Sequence, residues 1–188
     1  MMVLRFRIQL RYIDPPIWRQ IEVPPDYSFW DLHVAIQDVM GWQDYHLHEF
    51  FLGSPSSDEE IRIGIPDGEG WQEDPAAGWE VPVLRHLLGT GPKSFRYLYD
   101  FGDDWLHDIT YEGTFEISAF VDLPRCVGGA RACPPEDCGG PESYEEIVSG
   151  VHELQDAFPD LDPEVFDCAG IVFTDPDERW DYAFGEEE

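Results

Sequence analysis

Positive charge is what this sequence has least of. Its 188 residues carry 40 acids against 11 bases, with Lys93 as the single lysine, which leaves a formal net charge of -29. Binding to a polyanion draws much of its affinity from Lys and Arg displacing counterions, so DNA, RNA and anionic lipid are disfavoured as partners. Long apolar runs are missing too: nothing approaches the ~20 residues that span a bilayer. Met1 leads straight into alternating Leu4, Arg5, Phe6 and Arg7 rather than into a signal peptide, so a cytoplasmic location is expected. In that compartment the four cysteines are expected as free thiols or metal ligands, not as a disulfide framework. There is no Gly-x-x-x-x-Gly-Lys phosphate loop, no Gly-x-Ser-x-Gly elbow, no dinucleotide fingerprint and no internal repeat. A Schiff-base mechanism would depend wholly on Lys93.

What the chain does have is aromatic and apolar mass. Seven Trp, twelve Phe and eight Tyr within a hydrophobic content of 43% exclude a disordered chain despite the charge. This length buries roughly 70% of the unfolded surface in one core. The acidity reads either as solubility or adaptation to high salt, or as a face for a basic partner.

Leu4, Phe6, Ile8, Leu10 and Tyr12 alternate with polar residues, and Ile17, Arg19, Ile21 and Val23 do so again after Asp14-Pro15-Pro16, which predicts an antiparallel hairpin. Its exposed Arg5, Arg7 and Arg11 are expected to pair with acids across strands rather than to bind an anion. Ser28 and Asp31 form a near capping box before the stripe Phe29, Leu32, Ile36, Val39, Met40, and Gly41 closes that helix. His46 to Leu52 reads as a strand with His46, His48 and Phe50 on one face. Gly53 to Trp79 is an acidic excursion with a short strand at 61–65. Val83 to Leu88 is a short helix, and Phe95 to Phe101 with Trp105 to Tyr111 is a second hairpin running on to Ile117. A tightly specified loop then holds Cys126, Cys133 and Cys138 among prolines and glycines. Helices are expected from Pro141 and from Asp162-Pro163 to Phe166. The stretch from Glu142 to Glu188, with sixteen acids and Arg179 as its one base, reads as a solvated flank.

The strings Asp14-Pro-Pro-Ile-Trp-Arg19, Asp31-Leu-His33, Gly41-Trp42, His46-Leu-His-Glu-Phe50, Tyr99-Asp-Phe-Gly-Asp-Asp-Trp-Leu-His107 and Arg131-Ala-Cys-Pro-Pro-Glu-Asp-Cys-Gly-Gly140 together resemble the plasmid ORF-3-like family, named for a reading frame on a root-inducing plasmid. The resemblance covers about Val3 to Leu154. It implies a domain at 1–155, with 156–188 as an acidic extension packed on or flanking it. It also implies a mobile-element setting, because the same domain occurs as a TnpR-like passenger of insertion elements. No serine-recombinase arrangement is present to support that resolvase-like label.

Two constellations are candidates for chemistry. Cys133 and Cys138, with Cys126 upstream and His107, His48 or Cys168 as a fourth ligand, have spacing compatible with half a zinc site; the alternatives are buried thiols or a redox pair. The second comprises His46, His48 and Glu49 with Asp100, Asp103, Asp104, His107 and Asp108. Converging in a cleft, such groups could hold a metal that activates water; otherwise Gly102-Asp103-Asp104 is turn chemistry and the histidines are core. Trp71 and Trp79 are candidate anchors for a protein partner. The fold expected is α+β, a mostly antiparallel sheet with helices on one face, ubiquitin-like or ferredoxin-like in its opening. The functions expected are an accessory protein-interaction module with a structural Cys-rich loop or, alternatively, a metal-dependent hydrolase using His48, Glu49, Asp103 and His107, with zinc as the possible cofactor.

Overall fold

The computed structural model describes residues 1–53, 60–65, 78–87, 93–151 and 158–184. Trp71, the Gly89 to Pro92 break, Leu154 and the terminal glutamates lie outside the described residues. The elements are β1 (Met2–Leu10), β2 (Trp18–Val23), α1 (Phe29–Met40), β3 (His48–Leu52), β4 (Ile61–Ile63), α2 (Val83–Leu87), β5 (Ser94–Tyr99), β6 (Trp105–Glu116), β7 (Arg125–Ala130), α3 (Gly140–Val148) and α4 (Pro176–Phe184). The seven strands form one sheet in the order β4-β3-β5-β6-β1-β2-β7 with every neighbouring pair antiparallel, so the fold is α+β. β3 does not return beside the first hairpin: β5 and β6 lie between it and β1, and this order is neither of the two arrangements its opening suggests.

Period-two burial marks β1 as an inner strand, paired on both sides. Leu4, Phe6, Ile8 and Leu10 are buried, and Phe6 sits opposite both Ile21 of β2 and Tyr111 of β6. The opposite face carries the basic stripe, neutralised across strands as expected. Glu22, fully buried, accepts from Arg5 Nε at 3.0 Å and from Arg125 Nε at 2.8 Å, and Arg11 pairs with Asp108 at 3.3 Å. Arg7 lies over the Trp18 ring at 3.9 Å instead. Burial pushes the Glu22 carboxyl up, but hydrogen bonds from Arg5 and Arg125 outweigh it and hold its pKa below the ordinary value.

α1 starts and stops where its sequence says. The Ser28 side chain accepts from Asp31 N, Asp31 returns the bond to Ser28 N, and Gly41 takes the left-handed conformation at the C-cap. Yet the helix is not half-covered: only Asp31 and Asp38 escape burial. A second layer lies over its far side, where Trp30 meets Trp180 of α4 edge-on at 5.2 Å and Trp180 stacks on Trp79 at 4.3 Å. The C-terminal segment therefore ends in a helix in contact with α1, although none of its side chains is fully buried. Trp79, expected as an anchor for a partner, is covered by this chain's own Trp180. The helix expected at 162–166 is a turn, and the helical turn falls at Cys168–Gly170.

The Cys-rich segment is also not all loop. Its first half is strand β7, paired with β2. Small residues are needed there because a Cβ on Gly129 would lie 2.2 Å from the Phe166 ring, which packs onto the strand.

Arg19 joins these layers. Its guanidinium is buried with no carboxylate among its partners, and it donates to Val39 O at 3.1 Å, Trp18 O at 2.9 Å and Ala130 O at 3.0 Å while lying 3.7 Å above Phe166. Burial lowers its pKa, and the nearby Cys133, Cys126 and Cys168 sulfurs act in the opposite sense. Val39 belongs to the last turn of α1, where carbonyls lack helical partners and the macrodipole favours a cation. Replacing Arg19 with Met leaves these carbonyls unpaired and should cost about 3 kcal/mol or more, measured as the shift in urea midpoint at unchanged slope.

His107 is fully buried in β6, with Nδ1 3.3 Å from Tyr97 O and its ring edge-on to Trp42; Nε2 has no partner. Burial lowers its pKa from 6.5 to about 4. Between those values the unfolded chain binds a proton that the folded chain refuses, so stability falls as pH drops through the window, by about 3 kcal/mol in total. Equilibrium unfolding from pH 7 to 4 should show this slope, and His107→Leu should remove that part of it.

Candidate functional site

The chain leaves α1 through Gly41 and passes over the end of the sheet as Trp42 to Leu47 before entering β3. This crossing lines a cleft of about 1220 Å³, together with Trp30, His48, Ile65 and the α4 residues Arg179, Tyr182, Ala183 and Phe184. Asp44, in the left-handed region at φ 61, sits at the bend.

Beneath the cleft a polar chain runs into the core. Gln37 Nε2 donates to Tyr97 Oη at 3.0 Å, so the Tyr97 hydroxyl donates to His33 Nδ1 at 2.8 Å and His33 Nε2–H donates to Asp44 Oδ1 at 2.9 Å. The His48 ring stacks face to face on His33, centroids 3.5 Å apart and planes 9° from parallel. Burial, and secondarily the neighbouring His33, hold the His48 pKa well below the ordinary histidine value, so this imidazole is neutral at pH 7. Burial, then Asp44, raises the Tyr97 pKa well above that of a free phenol.

A second group forms at the other side of the crossing. His46 Nε2 lies 2.8 Å from Asp137 Oδ1 and 3.6 Å from Asp100 Oδ2. His46 and His48 therefore serve different groups, and they do not chelate together: β3 begins at His48, so the alternation that would put both on one face does not reach His46.

Three of the motif strings meet here. Glu136 accepts from Tyr99 Oη through one oxygen and from Gln43 N at 2.7 Å through the other. Trp42 Nε1 donates to Pro134 O at 2.9 Å, and Gly139 N donates to Asp103 Oδ2 at 2.9 Å. Gly140, at φ 84, sits so close to the Gly102 turn that a Cβ there would be 2.5 Å from Asp103 O.

The candidates read from sequence are thereby distributed. His48 reaches the cleft. Asp103 holds the Cys-rich loop, Glu49 is buried in an ion pair with Arg62 at 2.6 Å, and His107 is core. Cys133 Sγ lies 3.6 Å from Met40 Sδ, Cys126 Sγ 3.4 Å from Gly128 O, and Cys138 is fully buried. Burial pushes each of these three thiols up to about 12, which leaves them protonated and unreactive. Among the described residues, the groups of three or more His, Cys, Asp or Glu whose ligand atoms fall within 4.8 Å of one another are His33, Asp44, His48 and His46, Asp100, Asp137; neither contains a cysteine. Asp44 escaped the sequence reading because it stands in a connection, and His33 was given no chemistry because it stands in a helix. The sequence sign was the Asp31-Leu-His33 string.

The sequence profile of the plasmid pRiA4b ORF-3-like proteins matches residues 2–171. An uncharacterised protein of Sinorhizobium fredii, y4hQ, is 38% identical over 149 residues, which is 79% of this chain and 73% of that one. The crystal structure of a protein of unknown function from Methanosarcina mazei superposes with a TM-score of 0.78 at 36% identity, covering 92% of this chain and 98% of the other. On these matches, which take in the crossing, the Gly102 turn and the Cys-rich loop together, the chain belongs to the plasmid pRiA4b ORF-3-like family.

Proposed function

We propose that this protein is a non-catalytic interaction module whose cleft receives a cationic segment of a partner protein, in keeping with an accessory role in a plasmid or mobile-element setting. One observation carries the reading. Tyr45, Leu47, Tyr182 and Phe184, four large hydrophobic residues that are exposed to water, all line the same cleft. Apolar and aromatic groups gathered at a concave site mark binding surfaces, and tyrosine is enriched among interface anchors.

The sign of the partner follows from the charge. Apart from Arg85 and Lys93, every Arg and Lys is already engaged: Arg5 and Arg125 by Glu22, Arg11 by Asp108, Arg62 by Glu49, Arg96 by Glu60, Arg131 by Glu164 and Arg179 by Asp38, with Arg7 over Trp18 and Arg19 in the core. The large acidic excess is left to face solvent, which attracts a basic segment and whose aromatic walls accept Lys or Arg by cation–π contact. No helix among the described residues is long and apolar enough to cross a membrane. Of the four residues named for the hydrolase alternative only His48 lines the cleft, while Asp103, Glu49 and His107 are engaged elsewhere.

Lys/Arg-rich peptides should quench tryptophan fluorescence, whereas acidic peptides of equal length should not. Affinity should fall steeply between 50 and 500 mM salt, as for any surface-charge attraction screened over roughly 10 Å or less. Tyr45→Ala combined with Tyr182→Ala, both at exposed positions, should raise Kd about tenfold without shifting thermal stability. Equal binding of acidic and basic peptides, or indifference to the double substitution, would refute the assignment.

A further inference from the structure

The geometry points to a divalent metal site on the cleft floor, formed by His33 Nε2, the Asp44 carboxylate and His48, of the kind that takes Zn²⁺ or Co²⁺ and keeps a position open to the cleft. The inference is independent of the peptide-binding reading.

Two imidazoles and one carboxylate are the donors that borderline divalent ions take, and three protein ligands leave a fourth position for a water or an incoming donor. The ligand atoms of these three residues already lie within 4.8 Å of one another. They come from separate elements, α1, the crossing and β3, so nothing in local sequence forces them together.

The surroundings suit the assignment. A metal-bound histidine needs its other nitrogen held by an acceptor, which orients the ring and raises its basicity. Tyr97 Oη stands 2.8 Å from His33 Nδ1, and fully buried Gln37 stands behind it at 3.0 Å. With the amide as placed, Gln37 Oε1 is buried without a partner. Turning the amide over lets Tyr97 donate to Oε1 and accept from His33 Nδ1–H, for the same number of hydrogen bonds to Tyr97. That setting leaves a bare His33 Nε2 lone pair 2.9 Å from a carboxylate oxygen, a repulsion that a proton or a metal cation between them relieves. Gln37 and Tyr97 thus form a support that can select the tautomer a metal requires.

His48 is the mobile ligand. Among the described residues neither of its ring nitrogens makes a hydrogen bond, and its neighbours are the rings of His33, Trp30, Phe50 and Tyr97. A metal in the plane of one stacked imidazole lies outside the plane of the other. Binding therefore requires His48 to turn out of the stack, which breaks no hydrogen bond. Arg179 Nη1, 3.7 Å from Asp44 Oδ2, is the competing cation.

The test is titration of the metal-free full chain with Co²⁺, read by its visible absorption, and with Zn²⁺ by calorimetry. One equivalent should bind. His48→Phe and Asp44→Asn should each weaken binding by at least about tenfold, and Tyr97→Phe by about tenfold through loss of the support. His46→Phe, in the neighbouring group, should leave it unchanged. Zn²⁺ should also shift the ring ¹⁵N resonances of His33 and His48 in the unaltered protein, a readout that needs no variant to fold. Absence of binding, binding that survives both His48→Phe and Asp44→Asn, binding lost with His46→Phe, or unmoved His33 and His48 resonances would each overturn the assignment.

Discussion

A buried guanidinium without a counter-carboxylate is the constraint on which the rest of this structure depends. Isolated charges are expelled from protein interiors unless their hydrogen-bonding capacity is met, and Arg19 meets it with carbonyls from three elements: β2, the last turn of α1 and β7. The stacking on Phe166 adds the segment beyond α3. In this way one side chain fixes the end of the central helix to the edge of the sheet and to the chain that follows the Cys-rich segment. Arginine suits the task and lysine would not, because only a planar fork can bridge donors to separate carbonyls while offering a flat face to an aromatic ring.

From that anchored edge the consequences run to the cleft. With β7 fixed against β2, residues 131–140 are led past the end of α1; Arg131 and Ala132 bond to Glu164, Pro15 and Pro163, and the residues after them bond to the crossing, to Tyr99 and to the Gly102 turn: Pro134 O to Trp42, Glu136 to Gln43 and Tyr99, Asp137 to His46, Gly139 N to Asp103. The Cys-rich loop acts as a clamp made of backbone and carboxylates. Its cysteines supply bulk: Cys138 is sealed, and Cys133 rests on Met40.

Much of the architecture was legible because period two and period 3.6 are local signals. Both hairpins, the capping box of α1 and its left-handed glycine could be read from neighbouring residues. The misreadings share a different cause. β7 was hidden because glycines carry no pattern, and Gly129 is small for the sake of Phe166, far along the chain. α4 was hidden because acid-rich composition outweighs a Trp180 and Phe184 pair whose partners, Trp79 and Trp30, lie a hundred or more residues earlier. The site was half legible: the Trp42 to His48 and Tyr99 to His107 strings marked the region. Which side chains face each other there depends on where β3 begins and on the bend at Asp44, and neither is written in residue types.

That bend also explains how two histidines with a single residue between them came to serve different surroundings. Asp44 in the left-handed conformation turns the chain back toward α1, where its carboxylate meets His33, and the residues after it must cross the end of the sheet before pairing resumes at His48. His46 falls in the crossing and faces the buried Asp100 and the exposed Asp137. His48 falls in the strand and turns inward onto His33. The solvent-side histidine is thus paired with carboxylates, while the inner one lies among rings, where burial favours its neutral form. One short connection therefore presents a carboxylate-paired imidazole at the rim of the cleft and a neutral nitrogen base at its floor, and this division of labour follows from a single backbone turn.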